Sequence, residues 1–203
     1  YGEHQLLLHG NEYITEKLGN YKFMISADSF FQPNTYQAER LYDIILEESK
    51  LTGSEVVYDL FCGTGSISIY ISSYAKMIYG FELVASSVQN AMQNAANNKI
   101  KNIWFIAGNL DSLFRENKEA KDLESPNVMI IDPPRAGLHP KTIKDILNKH
   151  PQRIVYVSCN PATQARDAKE LCHGGYSLIK LRPLDMFPHT PHIENVATFI
   201  SNQ

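Results

Sequence analysis

Repeated strand-then-helix units predict an α/β fold, a mostly parallel seven-stranded sheet with helices on both faces. Three observations carry that prediction. From Val56 onward, short β-branched and aromatic runs alternate with longer segments of helical periodicity. The run Ile154-Val155-Tyr156-Val157 is continuously apolar, as a strand buried on both faces is. Chemistry-bearing residues stand at the exits of such runs, where open parallel sheets bind their ligands.

The elements follow in order. Before the alternation, Gln5-Leu6-Leu7-Leu8, Tyr13-Ile14-Thr15 and Tyr21-Lys22-Phe23-Met24-Ile25 read as short strands. Gly10-Asn11 and Gly19-Asn20 punctuate them as turn signals. Asn34 to Lys50 is a helix with Leu41, Ile44 and Ile45 among its apolar positions. The seven strands are then 56–60, 77–81, 103–107, 128–131, 153–157, 176–184 and 196–200. Helices are expected at 66–74, 85–97, 111–117, 141–149 and 162–172. Residues 118–127 are polar and read as a solvated loop.

With 203 residues, 43% hydrophobic and 20% charged, the chain can bury an ordinary globular core. No apolar stretch approaches the roughly 18 residues of a membrane-spanning helix. The chain opens Tyr1-Gly2-Glu3-His4, without an initiator Met or basic start, and reads as a fragment of a longer protein. Cys62, Cys159 and Cys172 are odd in number and irregular in spacing, which suggests neither a disulfide framework nor a metal site. A reducing, cytoplasmic setting fits. The net charge of -3 does not advertise a nucleic-acid binder, so any such role rests on a local patch or on missing segments. Lys141, Lys144, Lys149 and Arg153 are candidates for phosphate contacts or simply a solvated helix face.

The first strand of the alternation ends Asp59-Leu60-Phe61-Cys62-Gly63-Thr64-Gly65-Ser66. Its glycines let the backbone approach a ligand closely. Glu82 ends the next strand, where a carboxylate can accept hydrogen bonds from ribose hydroxyls. A dinucleotide prefers a third glycine, and here that position is Ser68. S-adenosylmethionine has no such requirement and is the favoured cofactor; a turn without ligand is the alternative.

Asp132-Pro133-Pro134-Arg135 ends the fourth strand, and the two prolines stiffen the loop that holds Asp132. Asp-Pro-Pro before an aromatic would suggest methylation of an exocyclic amine, with Asp132 receiving the amino proton. Here arginine follows, and one strand later comes Ser158-Cys159-Asn160-Pro161. A lone Cys159 is ordinarily a small core residue. A thiol at a strand exit also suits methylation of carbon 5 of a uracil. That carbon is a poor nucleophile until a thiolate adds to carbon 6, and a base must later remove the proton from carbon 5. Glu194, in His192-Ile193-Glu194-Asn195-Val196, is the candidate base, with a solvated strand-end carboxylate as the alternative. His189 and His192 flank it. Phe30-Phe31-Gln32-Pro33-Asn34 offers aromatics and an amide for base or cofactor, or a staple and cap for the helix that follows.

Taken in order, Phe-Phe-Gln-Pro-Asn, Asp-Leu-Phe-Cys-Gly-Thr-Gly, Asp-Pro-Pro-Arg, Ser-Cys-Asn-Pro and His-Ile-Glu-Asn resemble the RNA uracil-C5 methyltransferase family. The resemblance implies a class I methyltransferase, Rossmann-like fold at 32–203, with 1–31 as the end of a β-rich RNA-binding region. It implies Cys159 as nucleophile, Glu194 as proton acceptor, and cofactor contacts at Gln32, Phe61, Gly63, Glu82 and Asp132. The position of Ser66 is often Asn in that family, which leaves a contact there in doubt. The substrate implied is RNA, 23S ribosomal RNA ahead of the T-loop uridine of tRNA. No obligate protein partner is evident. The iron–sulfur cluster of some members is not expected from three scattered cysteines.

Overall fold

The computed structural model describes residues 6–27 and 29–203. A hairpin comes first, β1 (Tyr13–Leu18) and β2 (Tyr21–Ser26), and it forms a two-stranded sheet of its own. Gly19 turns it with φ +56. Leu6, Leu7 and Leu8 form no strand; they are exposed and have no partner strand among the described residues. Gln5 of that expected strand lies outside the described residues.

Helix α1 (Thr35–Ser49) begins at Asn34, whose Oδ1 accepts the Gln37 N–H at 3.2 Å. Its buried Ala38, Leu41, Tyr42 and Ile45 recur at helical spacing. Then follow β3 (Val56–Leu60), α2 (Ser66–Ile71), β4 (Met77–Glu82), α3 (Ala85–Asn97), β5 (Ile103–Ala107), α4 (Leu113–Glu116) and α5 (Lys118–Lys121). The chain closes with β6 (Val128–Ile131), α6 (Pro140–Lys149), β7 (Arg153–Ser158), α7 (Pro161–His173), β8 (Tyr176–Leu184) and β9 (Glu194–Ser201). The expected loop at 118–127 contains α5. The Asn117 side chain caps this turn through Ala120 N, and Ala120 is fully buried, an apolar anchor inside a polar stretch.

The seven strands run in the order β5-β4-β3-β6-β7-β9-β8. β3 to β7 are parallel; β9 pairs antiparallel with both β7 and β8. The order reverses between β3 and β6, which opens a crevice at the carboxyl ends of those strands. β3 is buried along all five residues. Val57 faces a core formed with α1, α2, α3 and the hairpin, while Tyr58 and Leu60 face one formed with α4, α6 and α7. The hairpin joins the first core through Leu18 and Phe23. Asn94 of α3 holds it by bonding both the N–H and the carbonyl of Met24, at 2.8 and 3.2 Å.

The outer edge strand, β8, is blunted against pairing with other chains. It has a register shift between Leu178 and Lys180, and it presents Lys180, Arg182 and Pro183.

Candidate active site

Each expected site residue after Gln32 lies at one edge of the main sheet. Phe61 and Gly63 follow β3, Glu82 ends β4, Asp132 follows β6 and Cys159 follows β7. β9 runs the other way, so its first residue, Glu194, reaches the same edge; the pairing of Ser158 with Asn195 sets the level. Antiparallel entry of β9 is thus what brings a carboxylate near a strand-exit thiol.

Two cavities open there. One, of about 530 Å³, is lined by Gln32, Phe61, Asp132, Cys159, His192 and Glu194, among others. The other, of about 760 Å³, is lined by Gly63, Glu82, Leu83, Asn109, Asp111 and His139, among others. Phe30, Phe61, Asp132 and Pro134 wall both, so the two are neighbours across the β3/β6 crevice. Both volumes suit small-molecule binding.

The glycine loop is built for close approach. Phe61 holds φ +64, an unfavourable backbone for a non-glycine residue and a pointer to function. Gly63 has φ +54, and a Cβ there would meet nothing within 4 Å, so the backbone is open beside the larger cavity. Gly65 is glycine for another reason: a Cβ would come within 2.6 Å of the Phe105 ring. Glu82 braces the loop, accepting the Gly63 N–H at 3.0 Å and the Val84 N–H at 2.9 Å. A carboxylate has about four acceptor positions, so capacity remains for ligand hydroxyls. Asp59 accepts the Ser68 hydroxyl at 2.6 Å on one oxygen, while its other oxygen is buried without a partner. Burial pushes the Asp59 carboxyl up to about 7. Ser66 donates to or accepts from Tyr42 at 2.8 Å, so its hydroxyl is already engaged.

Around Cys159 the electrostatics compete. Partial burial raises the thiol, as do the carboxylates of Glu194 and Asp132, while the Arg135 guanidinium lowers it. Glu194 is 5% exposed, not solvated, and burial pushes its carboxyl up to about 7. Burial, then Glu194 and Asp59, push Asp132 up to about 8. A base with a pKa near 7 is matched to proton removal at neutral pH.

A family model described as tRNA (uracil-5-)-methyltransferase matches residues 3–201. The chain belongs to the tRNA (uracil-5-)-methyltransferase family. An uncharacterised RNA methyltransferase of Chlorobaculum tepidum is 45% identical over 98% of this chain and 41% of its own length. Another from Porphyromonas gingivalis is 47% identical over 97% of this chain and 42% of its own. The chain therefore spans about two fifths of these relatives. Among solved structures, the Pyrococcus abyssi tRNA (uracil-54, C5)-methyltransferase in complex with S-adenosyl-L-homocysteine superposes with a TM-score of 0.82. It is 35% identical, and the match covers 95% of this chain and 45% of that one.

Against this family background, some site residues escaped the sequence reading. Asn109 and Asp111 line the larger cavity just past β5, and their place after a parallel strand was the available signal. Phe187 and Arg135 line the smaller cavity. His192 lines it too, whereas His189 is not among its walls. Phe30 faces both cavities, but Phe31 turns inward and packs on Phe23 with ring centroids 5.5 Å apart.

The basic group divides by position. Lys141 opens α6 on the site side, whereas Lys149 closes α6 and Arg153 begins β7, at the opposite edge of the sheet. Lys149 also lies over the Phe114 and Tyr58 rings, at 5.5 and 5.9 Å, and burial lowers its pKa. It packs as part of the core margin, not as a free phosphate contact. Among the described residues, no helix is long and apolar enough to cross a membrane, and no cluster of metal-ligating side chains is present.

Proposed function

We propose that this chain is the methyl-transfer region of an enzyme that methylates carbon 5 of a uridine in RNA. The observation that carries the reading is one cavity walled by Cys159, Glu194, Asp132 and Gln32, adjoining a second walled by Gly63 and Glu82. The open backbone at Gly63 and the spare acceptor capacity of Glu82 fit S-adenosylmethionine. Gln32, Phe61, Gly63, Glu82 and Asp132 would hold it. When bound, it supplies a methyl group on a positively charged sulfur.

The chain's own residues then divide the work. The Cys159 thiolate adds to carbon 6 of the uracil, and the electron pair of the 5,6 double bond moves into an enolate. Carbon 5 becomes nucleophilic and bonds to the methyl carbon as that carbon's bond to the sulfonium sulfur breaks, which would leave S-adenosylhomocysteine. Glu194 then accepts the proton from carbon 5, the double bond reforms, and the bond from carbon 6 to sulfur breaks, returning the thiolate. Arg135 favours the thiolate at the start. The larger cavity would take most of the cofactor, with Phe61 and Asp132 on the shared wall and Gln32 beyond it, and the rest of the smaller cavity would receive a base extruded from folded RNA. Residues 1–31 read as the end of an RNA-contacting region and 32–203 as the methyl-transfer domain.

The motifs do not choose the RNA; the family resemblance favours 23S ribosomal RNA as the first reading. The description of the Pyrococcus enzyme favours the T-loop of tRNA as the second reading. Nucleoside mass spectrometry of rRNA and tRNA treated with the full-length protein tests both. 5-Methyluridine in one of them is expected; a methylated exocyclic amine would replace carbon methylation with Asp132-dependent amine methylation. Glu194→Gln is expected to form the covalent RNA complex yet turn over roughly 100-fold more slowly or worse.

A further inference from the structure

α7 starts two residues after Cys159 and shows the sheet a polar stripe. With its cap it presents Asn160, Thr163, Gln164 and Asp167, a helical spacing that ordinarily carries apolar side chains. Gln164 is 3% exposed and Asp167 is 0% exposed. Buried polar groups of this kind persist only when satisfied, and together these tie α7 to the loop after β6, to β7 and to β9. Asn160 Nδ2 and Thr163 Oγ1 donate to the Arg135 carbonyl at 3.0 and 3.2 Å. Asp167 accepts from Leu138 N at 2.8 Å and from the Tyr156 hydroxyl at 2.7 Å.

Gln164 has the most specific set. Its Nε2 donates to the Tyr156 carbonyl at 2.8 Å and to the Asn195 carbonyl at 3.2 Å, and its Oε1 accepts from Asn195 Nδ2 at 2.6 Å. Tyr156 lies on β7, which Cys159 follows, and Asn195 is the neighbour of Glu194. The β7–β9 pairing ends at Ser158 with Asn195, so Cys159 and Glu194 each stand one residue past its last matched pair. A single side-chain amide, with both N–H donors and its oxygen engaged, therefore joins the two strands where the backbone ladder stops.

We propose that Gln164 is a positioning residue that sets Glu194 relative to Cys159. The proposal rests on Cys159 and Glu194 acting as nucleophile and base. Loss of the amide leaves the Asn195 side chain without its partner and removes the side-chain tie from the start of β9 to β7, leaving Glu194 held only from the β8 side by its pairing with Leu184, so proton removal suffers more than thiol attack. A displacement near 1 Å at a reacting group is enough to slow a step by roughly 100-fold.

The test compares Gln164→Leu, Asn195→Ala, their double variant and Glu194→Gln in the full-length protein with uridine-containing substrate RNA. Turnover, KM for S-adenosylmethionine and the fraction of enzyme covalently bound to RNA at steady state are measured. Gln164→Leu is expected to lower kcat roughly 10- to 100-fold, leave that KM unchanged and raise the covalent fraction. The double variant should be no worse than the poorer single one. Gln164→Asn, which keeps an amide too short to bridge, carries the same expectation if Gln164→Leu does not fold. Unchanged kcat, or a fall in kcat without a rise in covalent fraction, overturns the proposal when Glu194→Gln does accumulate the complex. If Glu194→Gln does not accumulate it either, the assignment of the base fails and the role of Gln164 falls with it.

Discussion

Two carboxylates, Glu194 and Asp132, share the smaller cavity, and their environments give pH behaviour of a definite sign. Glu194 is raised from 4.5 to about 7 by burial, so the folded protein holds a proton there that the unfolded chain has lost. Its contribution to stability is present in full below about pH 4.5 and is lost as pH rises through about 7. Glu194→Gln is therefore expected to gain melting temperature over the parent at pH 8, with the gap shrinking by pH 5, as read by calorimetry. Asp132, raised to about 8, acts with the same sign in both proteins. Catalysis has the opposite slope, since only ionised Glu194 accepts a proton. Arg135 lowers the Cys159 thiol, so Arg135→Gln should move thiolate formation to higher pH and slow adduct formation at pH 7 several-fold, seen in the pH profile of trapping. The shared place of Cys159 and Glu194 at one sheet edge was legible in the sequence because each stands at the end of an apolar run. The burial of Glu194 was not, because it depends on where β8 and the 185–193 segment lie against β9.

Among the elements, α1 and the β8–β9 pair are joined by an ionic cluster. Glu48, 3% exposed, accepts from Lys180 at 2.6 Å, Arg182 at 3.1 Å and Thr198 at 3.2 Å. Burial alone would raise its carboxyl, but the hydrogen bonds from Lys180 and Arg182 hold it below the usual range. Stability from this group is present above about pH 4.5 and is lost as pH falls through its lowered value. Glu48→Gln should cost about 1–3 kcal/mol at pH 7, measured by urea unfolding, because two cations lose their buried partner. The strands and long helices were readable from periodicity and turn residues. Short α5 was not, because one buried alanine inside polar residues carries no periodic signal. The expected strand at Leu6–Leu8 failed for the reverse reason: apolar character without a pairing partner does not make a strand.

At the scale of the molecule, topology assembles the site. Strand order reverses between β3 and β6, and β9 enters antiparallel, so loops far apart in sequence converge on one sheet edge. Sequence motifs foretold that convergence wherever the strands were parallel. They were silent on the α7 stripe, whose partners are fixed only once β7 and β9 lie side by side. Cys159 is expected to make a covalent bond to the target base while the neighbouring cavity holds the methyl donor. The most direct measurement is peptide mapping of the complex trapped between the full-length protein, S-adenosylmethionine and RNA carrying 5-fluorouridine at the target. Fluorine cannot leave as a proton does, so the adduct should persist and map to the peptide containing Cys159. An adduct on Cys62 or Cys172, or a Cys159→Ala protein that still forms the complex, would contradict it.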